Sequence, residues 1–377
     1  MSTPNATLHY TDNPLVGFCH LWCGTGLFPQ VSDDILKGFQ NPDIFALRQA
    51  TLTDKTDIFK KYQSLLARTY TGELQHISDF LAAVQKSFPK DAATLTPALT
   101  RGFQAYQACT RSGADETRKI QAFLTQDTAT PAKATLLTGL SRFFNLQGAT
   151  IPYTIMPFPG AKDKDGESIG PAGVRIAYSL TQDEPTDKYH TGTLLLKRKS
   201  STLYHESCHW MLDNSPLMTD IKSGTHPAMK HFMDTLSAHF ARQAGQTDPV
   251  AGRGRALHAL HEGLASAVSA RIDELNGQTI GPDRTFYTGF PEADRLGQTL
   301  FPMVKTYLSQ GKTLDDAFFQ QLNTHLGDLT RTEHTPVESR PGKTLSQRLR
   351  AAAHPQRPSP IQTETKSLLY RPDRQGR

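Results

Sequence analysis

The segment His205-Glu206-Ser207-Cys208-His209 brings together the residue types of a hydrolytic metal site. Residues four apart on a helix lie one turn above each other, so His205 and His209 can aim two imidazoles at one ion. Glu206, beside the first of them, can reach a water held in an open coordination position. Zinc in such a site lowers the pKa of that water to roughly 7, where a neighbouring carboxylate takes its proton at neutral pH. Composition alone would place HExxH by accident in about 1 to 2% of such chains, so the flanking sequence has to carry the assignment. The spacing predicts zinc-dependent hydrolysis with one Zn2+ per chain, His205 and His209 as ligands and Glu206 as general base.

A catalytic zinc takes three protein ligands and leaves one position for water, so a third ligand is required. The leading candidate is Glu262, in His261-Glu262-Gly263-Leu264-Ala265, on a periodic segment whose Leu264, Ala265 and Val268 suit packing on the motif helix. His226, in Gly224-Thr225-His226-Pro227, is its rival, and Asp213 and Asp220 are further alternatives. His258 and His261 flank Glu262 and could orient it or bond the water. Asp213, one turn beyond His209, suits anchoring a histidine or the helix end better than binding metal. Peptide hydrolysis also needs a donor for the developing oxyanion, for which Tyr287, in Thr285-Phe286-Tyr287-Thr288-Gly289, is the positional candidate. Cys208 falls off the shared histidine face and is expected to pack inward. Cys19 and Cys23 could form half of a metal site, but no second cysteine pair completes it.

HExxH followed by a helix carrying Glu262-Gly263-Leu264-Ala265 resembles the gluzincin metallopeptidases, in which a downstream helical glutamate completes the site. The resemblance covers roughly residues 149–326. It implies a zincin-like domain, a thermolysin-like or toxin-type zinc peptidase mechanism, and a peptide or protein substrate of unspecified identity. The segment around His226 is similar to the one that supplies a third histidine in SprT-like proteases, which act on DNA-associated proteins. There Pro227 stands where that pattern has glycine. A third reading is a catalytically inactive zincin scaffold that binds a partner through its helices or its basic tail.

These residues need elements to position them. Apolar spacing of three and four through Ile35, Leu36 and Phe39, then Ile77, Phe80, Leu81 and Val84, then Leu99, Phe103 and Tyr106, predicts a mainly helical region over 1–147. Strand texture follows at Ile151–Met156, Val174–Leu180 and Gly192–Arg198, with a loop over Gly160–Gly173. Ser200, Ser201 or Thr202 is expected to cap the motif helix, and Asn214-Ser215-Pro216 to end it. Helices are expected from Pro227, over Ala256–Leu275, Pro291–Leu308 and Leu314–Leu326. The predicted class is α+β, a zincin-like catalytic domain over 148–330 behind the helical region. An extended substrate would lie along an edge strand such as Val174–Leu180.

The chain has 377 residues, enough for two folded units and a tail. Its net charge of +5 belongs to the Pro- and Arg-rich stretch 331–377, where ten Lys or Arg face four Asp or Glu. That stretch is expected to be disordered apart from a short helix at Leu345–Ala353, and suits weak contact with nucleic acid or an acidic partner. No run of 18 apolar residues appears, so no membrane span is expected. The first ten residues lack the basic start and apolar stretch of a secretory signal, which makes the cytoplasm the expected compartment, with signal-less export open. Four cysteines are too few and too scattered for a disulfide framework.

Overall fold

Strands form where β-branched and aromatic residues alternate. The computed structural model describes residues 5–22, 41–50, 52–146, 148–158, 166–168, 172–179, 193–288 and 290–330. Its strands are β1 (Thr7–Tyr10), β2 (Thr150–Phe158), β3 (Gly166–Ser168) and β4 (Val174–Ser179), arranged in the order β1-β2-β4-β3. β1, β2 and β4 are parallel, with Thr7 opposite Thr150 and Tyr153 opposite Val174, and β3 runs antiparallel to β4. Two of these strands were not foreseen: β1 lies at the start of the chain, and β3 lies within the expected loop 160–173. The ladder also corrects the expected substrate edge. β4 is flanked by β2 and by β3, whose Gly166 and Ser168 pair with Ile176 and Val174, so among the described residues the edge on that side belongs to β3.

Period-two alternation sends the two faces of the sheet into different cores. Ile151, Tyr153, Ile155, Val174, Ile176 and Tyr178 enter one core, and Met156 and Ala177 enter the other. The second core is filled by α1 (Pro14–Trp22), α2 (Pro42–Gln49), α3 (Ile58–Tyr70), α4 (Ile77–Ser87) and α5 (Ala92–Ser112). The first is filled by α6 (Ala114–Thr128), α7 (Pro131–Phe143) and the described helices after the sheet. Thus α6 and α7, which precede residue 147, share their core with the motif helix.

That helix, α8, spans Thr193–Asn214. The strand expected over Gly192–Arg198 is therefore absent from Thr193 onward, and Ser200, Ser201 and Thr202 lie inside the helix rather than at its cap. A three-leucine run is too short to separate strand from helix by period, and neither Gly nor Pro interrupts the chain between it and the motif. Leucine and lysine, both good helix formers, let the helix extend backwards.

The remaining helices are α9 (Pro216–Ser223), α10 (Pro227–Gln243), α11 (Arg253–Leu275), α12 (Pro291–Ser309), α13 (Asp316–Asn323) and α14 (Leu326–Leu329). Ser215 caps α9 by accepting from the Leu217 N–H at 3.1 Å, and Pro227 opens α10 at a position that needs no donor. The helix expected over Leu314–Leu326 starts later, where the Asp315 carboxylate accepts from the Phe318 N–H at 3.0 Å, and it stops at Asn323. The described residues are mostly helical with a small, largely parallel sheet, an α+β arrangement. No described helix is long and apolar enough to cross a membrane.

Contacts gather Met1–Arg331 into one compact unit and Thr332–Arg377 into another. The basic tail, with its expected helix at 345–353, lies outside the described residues, as do Ile35, Leu36, Phe39 and Cys23.

Candidate metal centre

The motif helix is fixed by polar contacts made one to two turns before the motif. Lys199 is fully buried, and its Nζ donates to the Ala177 carbonyl of β4 at 2.7 Å. Ser200 bonds the Asp127 carboxylate on α6, which also accepts from Lys133 Nζ on α7 at 2.5 Å. Ser201 meets Ser269 of α11 with their hydroxyls 2.6 Å apart. Past these anchors, Leu203, Tyr204, Ser207, Cys208, Met211 and Leu212 fill the core face. The four-residue step then leaves His205, His209 and Asp213 on the opposite stripe.

Helix α11 crosses α8 antiparallel: Ser269 stands at Ser201, Glu262 at His205, and the His261 ring stacks on His209 at 5.9 Å and 17°. The crossing makes His205, His209 and Glu262 a group able to hold a metal ion, with one donor atom from each lying within 4.8 Å of the others. His205 Nε2 and His209 Nε2 are 3.2 Å apart, and Glu262 Oε2 is 3.4 and 3.5 Å from them. Zinc bonds of about 2.0 to 2.1 Å at tetrahedral angles separate neighbouring donors by about 3.3 to 3.4 Å. Two imidazole nitrogens and one carboxylate oxygen, in a triangle of that size, fit such an ion.

Burial alone would lower the pKa of His209. The hydrogen bond to Glu262 and the charges of Glu206, Glu262 and Asp213 outweigh it and hold the imidazole above its ordinary value. For Glu262 burial would raise the pKa, but hydrogen bonds from His205 and His209, with their charge, hold the carboxyl well below its usual range. Glu262 is thus ionised at neutral pH, as a metal ligand has to be.

Around the group lies an open cleft of about 510 Å³ that Glu206, Asp213, His258, His261 and Tyr287 also line. Glu206, which lines the cleft, is only 9% exposed, a carboxylate largely withdrawn from bulk water. Tyr287 reaches the cleft from the loop before α12, where the Asp294 carboxylate accepts its N–H at 3.0 Å and that of Phe286 at 2.5 Å. Burial, then the charges of Glu262 and Glu206, raise the pKa of the Tyr287 phenol, so it keeps its proton at neutral pH.

His258 and His261 have separate places. His258 Nδ1 stands 3.7 Å from Glu262 Oε1, the oxygen turned away from the group, and the His258 ring stacks on Phe290 at 5.4 Å. His261 lies over His209, with Nε2 4.0 Å from Asp213 Oδ1. His226, the rival ligand, heads α10 with Nε2 3.5 Å from Asp220 Oδ2 and belongs neither to the group nor to the cleft lining. Cys208 is buried, and burial, then the charges of Glu262 and Glu206, push its thiol pKa far up, so it packs as a small apolar residue.

Helix spacing and residue type pointed to the three residues that converge here. They did not reveal the stacking of His261 on His209, or the cleft wall formed by Gly254, Leu257 and Asp213. Those depend on the antiparallel crossing of α8 and α11; Leu264, Ala265 and Val268 signalled the contact in the sequence, but not its direction. Comparison with protein-family models, with curated proteins and with solved structures found no match to this chain.

Proposed function

We propose that this protein is a zinc-dependent metallopeptidase of the gluzincin kind, with zincin-like architecture, its zinc held by His205 Nε2, His209 Nε2 and Glu262 Oε2. The observation that carries the reading is the donor triangle with edges of 3.2, 3.4 and 3.5 Å. Bound there, zinc supplies Lewis-acid polarisation of a carbonyl and lowers the pKa of a water. Glu206 takes the proton of the attacking water and returns it to the leaving amine. Tyr287 donates its phenolic hydrogen to the carbonyl oxygen as that atom gains charge. His258 steadies the second oxygen of Glu262, and His261 fixes the plane of His209 by stacking on it.

The reading with His226 as third ligand has less support, because that imidazole pairs with Asp220 away from the donor group. An inactive scaffold is separated from an enzyme by experiment. One zinc per chain is expected in the parent protein and in Glu206→Gln, with peptide hydrolysis in the parent alone; His209→Ala should lose the metal. Full activity in Glu206→Gln would refute the assignment of the base. A parent that binds no zinc would refute the site.

A further inference from the structure

We propose that the β1 edge of the sheet binds an extended acidic segment of a partner protein, which adds a strand to β1 and sets a Glu or Asp side chain against Arg142. The site lies apart from the donor group, since the two clefts have no lining residue in common.

The order β1-β2-β4-β3 leaves β1 with one neighbour among the described residues. Its register with β2 determines which main-chain groups are already paired. The Thr7 N–H donates to the Ala149 carbonyl at 2.9 Å and the Thr11 N–H to the Tyr153 carbonyl at 2.8 Å, so in this parallel ladder the odd-numbered residues bond β2. The N–H and C=O groups of Leu8 and Tyr10 therefore point away from β2, toward the open edge. Residues 5–10 all line a cavity of about 910 Å³. Side chains alternate between the two faces of a sheet, so successive residues share one cavity where it opens along the backbone edge. Edge strands that avoid partners are blunted by proline or lysine, and Thr7-Leu8-His9-Tyr10 has neither.

The helical walls of the cavity determine what kind of strand fits. Gln121, Thr125 and Thr128 of α6, and Thr135, Thr138 and Arg142 of α7, recur at three- and four-residue steps and give one polar stripe from each helix. The lining contains neither Asp nor Glu, and Arg142, in the last turn of α7, forms no ion pair with a described residue. The volume is near the upper end of the range for ligand sites, about 300 to 1,000 Å³. Main-chain groups of Leu8 and Tyr10 supply affinity for any added strand, and the uncompensated Arg142 selects one that carries a carboxylate. A second copy of this chain fits less well, because β1 itself has no acidic residue to meet Arg142.

Full-length Glu206→Gln protein, chosen so that no peptide is turned over, is to be titrated into short labelled peptides of alternating Val and Thr with Glu, Gln or Lys at the centre. By fluorescence anisotropy the Glu peptide should bind about tenfold more tightly than the Lys peptide. Arg142→Gln should bring that ratio to within about twofold, and Arg142→Glu should invert it. Methylating the peptide amides one at a time should weaken binding about tenfold at alternate positions only, because every second amide faces β1. Thr135→Trp, a change at an exposed position that narrows the cavity, should weaken all three peptides. Binding unchanged in the Arg142 and Thr135 variants, binding indifferent to the position of the methyl group, or no binding up to about 1 mM peptide overturns the site. Sedimentation of the chain as a dimer that Thr135→Trp dissociates would assign the edge to a second copy and overturn it too. Zinc content and peptide hydrolysis by the parent are separate readouts, so the peptidase reading stands or falls apart from this site.

Discussion

On the proposed peptidase reading, Tyr287 is the single side chain that separates binding from catalysis. Its loop is held by the Asp294 carboxylate, which accepts two successive backbone N–H groups, so the phenol reaches the cleft already positioned. A donor aimed at charge that exists only in the transition state contributes little to ground-state binding. In Tyr287→Phe, kcat should fall by about 10² to 10³ with KM and zinc content nearly unchanged. An equal rise in KM would make the phenol a substrate-binding group instead. Glu262→Ala should act on the metal, lowering zinc content with loss of activity as a consequence, and direct metal analysis distinguishes the two variants. The convergence of the three candidate ligands was legible because His205 and His209 sit one helical turn apart and Glu262 lies in a small-residue helical segment. Tyr287 was found by position alone. Nothing local in the sequence marks Asp294, eight residues from the Phe286 N–H it bonds, as the group that holds the loop.

Helices α8 and α11 carry the site, and what holds them was largely hidden in the sequence. Lys133, Asp127 and Ser200 look like surface residues by type, yet Lys133 is 4% exposed and clamps α6, α7 and α8 together. Removing one partner of a buried pair leaves the other uncompensated. Asp127→Ala strands the Lys133 ammonium and should cost about 3 to 5 kcal/mol in urea denaturation. Lys133→Met should cost less, because Asp127 retains the Ser200 hydroxyl and is the more exposed partner. The reverse order would mean that the lysine stem, not its charge, supports the helix. Gly263 is a second contact hidden in the sequence, since a Cβ there would lie 2.7 Å from Leu296 Cβ on α12. Gly263→Ala should therefore strain the α11–α12 crossing and destabilise by about 1 to 3 kcal/mol. Periodicity reveals that a helix has a small face, but the neighbour that uses the face comes from tertiary packing.

At the scale of the molecule the sheet divides two cores, and its first strand reaches β2 across the whole helical region, with Thr7 opposite Thr150. A partner so distant in sequence leaves no local trace, which is why β1 was not anticipated while β2 and β4 were. The polar links across this division include a buried imidazole. His20 Nε2 lies 3.0 Å from the Tyr70 hydroxyl, which donates to the Val174 carbonyl of β4 at 2.8 Å. Burial, reinforced by the nearby Arg175 charge, lowers the pKa of His20 well below its ordinary value. In the unfolded chain His20 titrates near 6.5, so below that pH the unfolded state takes up a proton that the fold refuses. The stability that neutral His20 allows is present above about pH 6.5 and is lost as pH falls, at up to about 1.4 kcal/mol per pH unit. His20→Gln keeps a polar partner for Tyr70 but cannot take up this proton. Unfolding free energies of the metal-free proteins at pH 7.5 and 5.5 carry the comparison, because groups common to parent and variant cancel in the difference. Between these pH values the parent should lose about 1.4 kcal/mol more than the variant. Parallel losses would mean that His20 is already solvated in the native ensemble, and that the two cores part at the sheet before the chain unfolds.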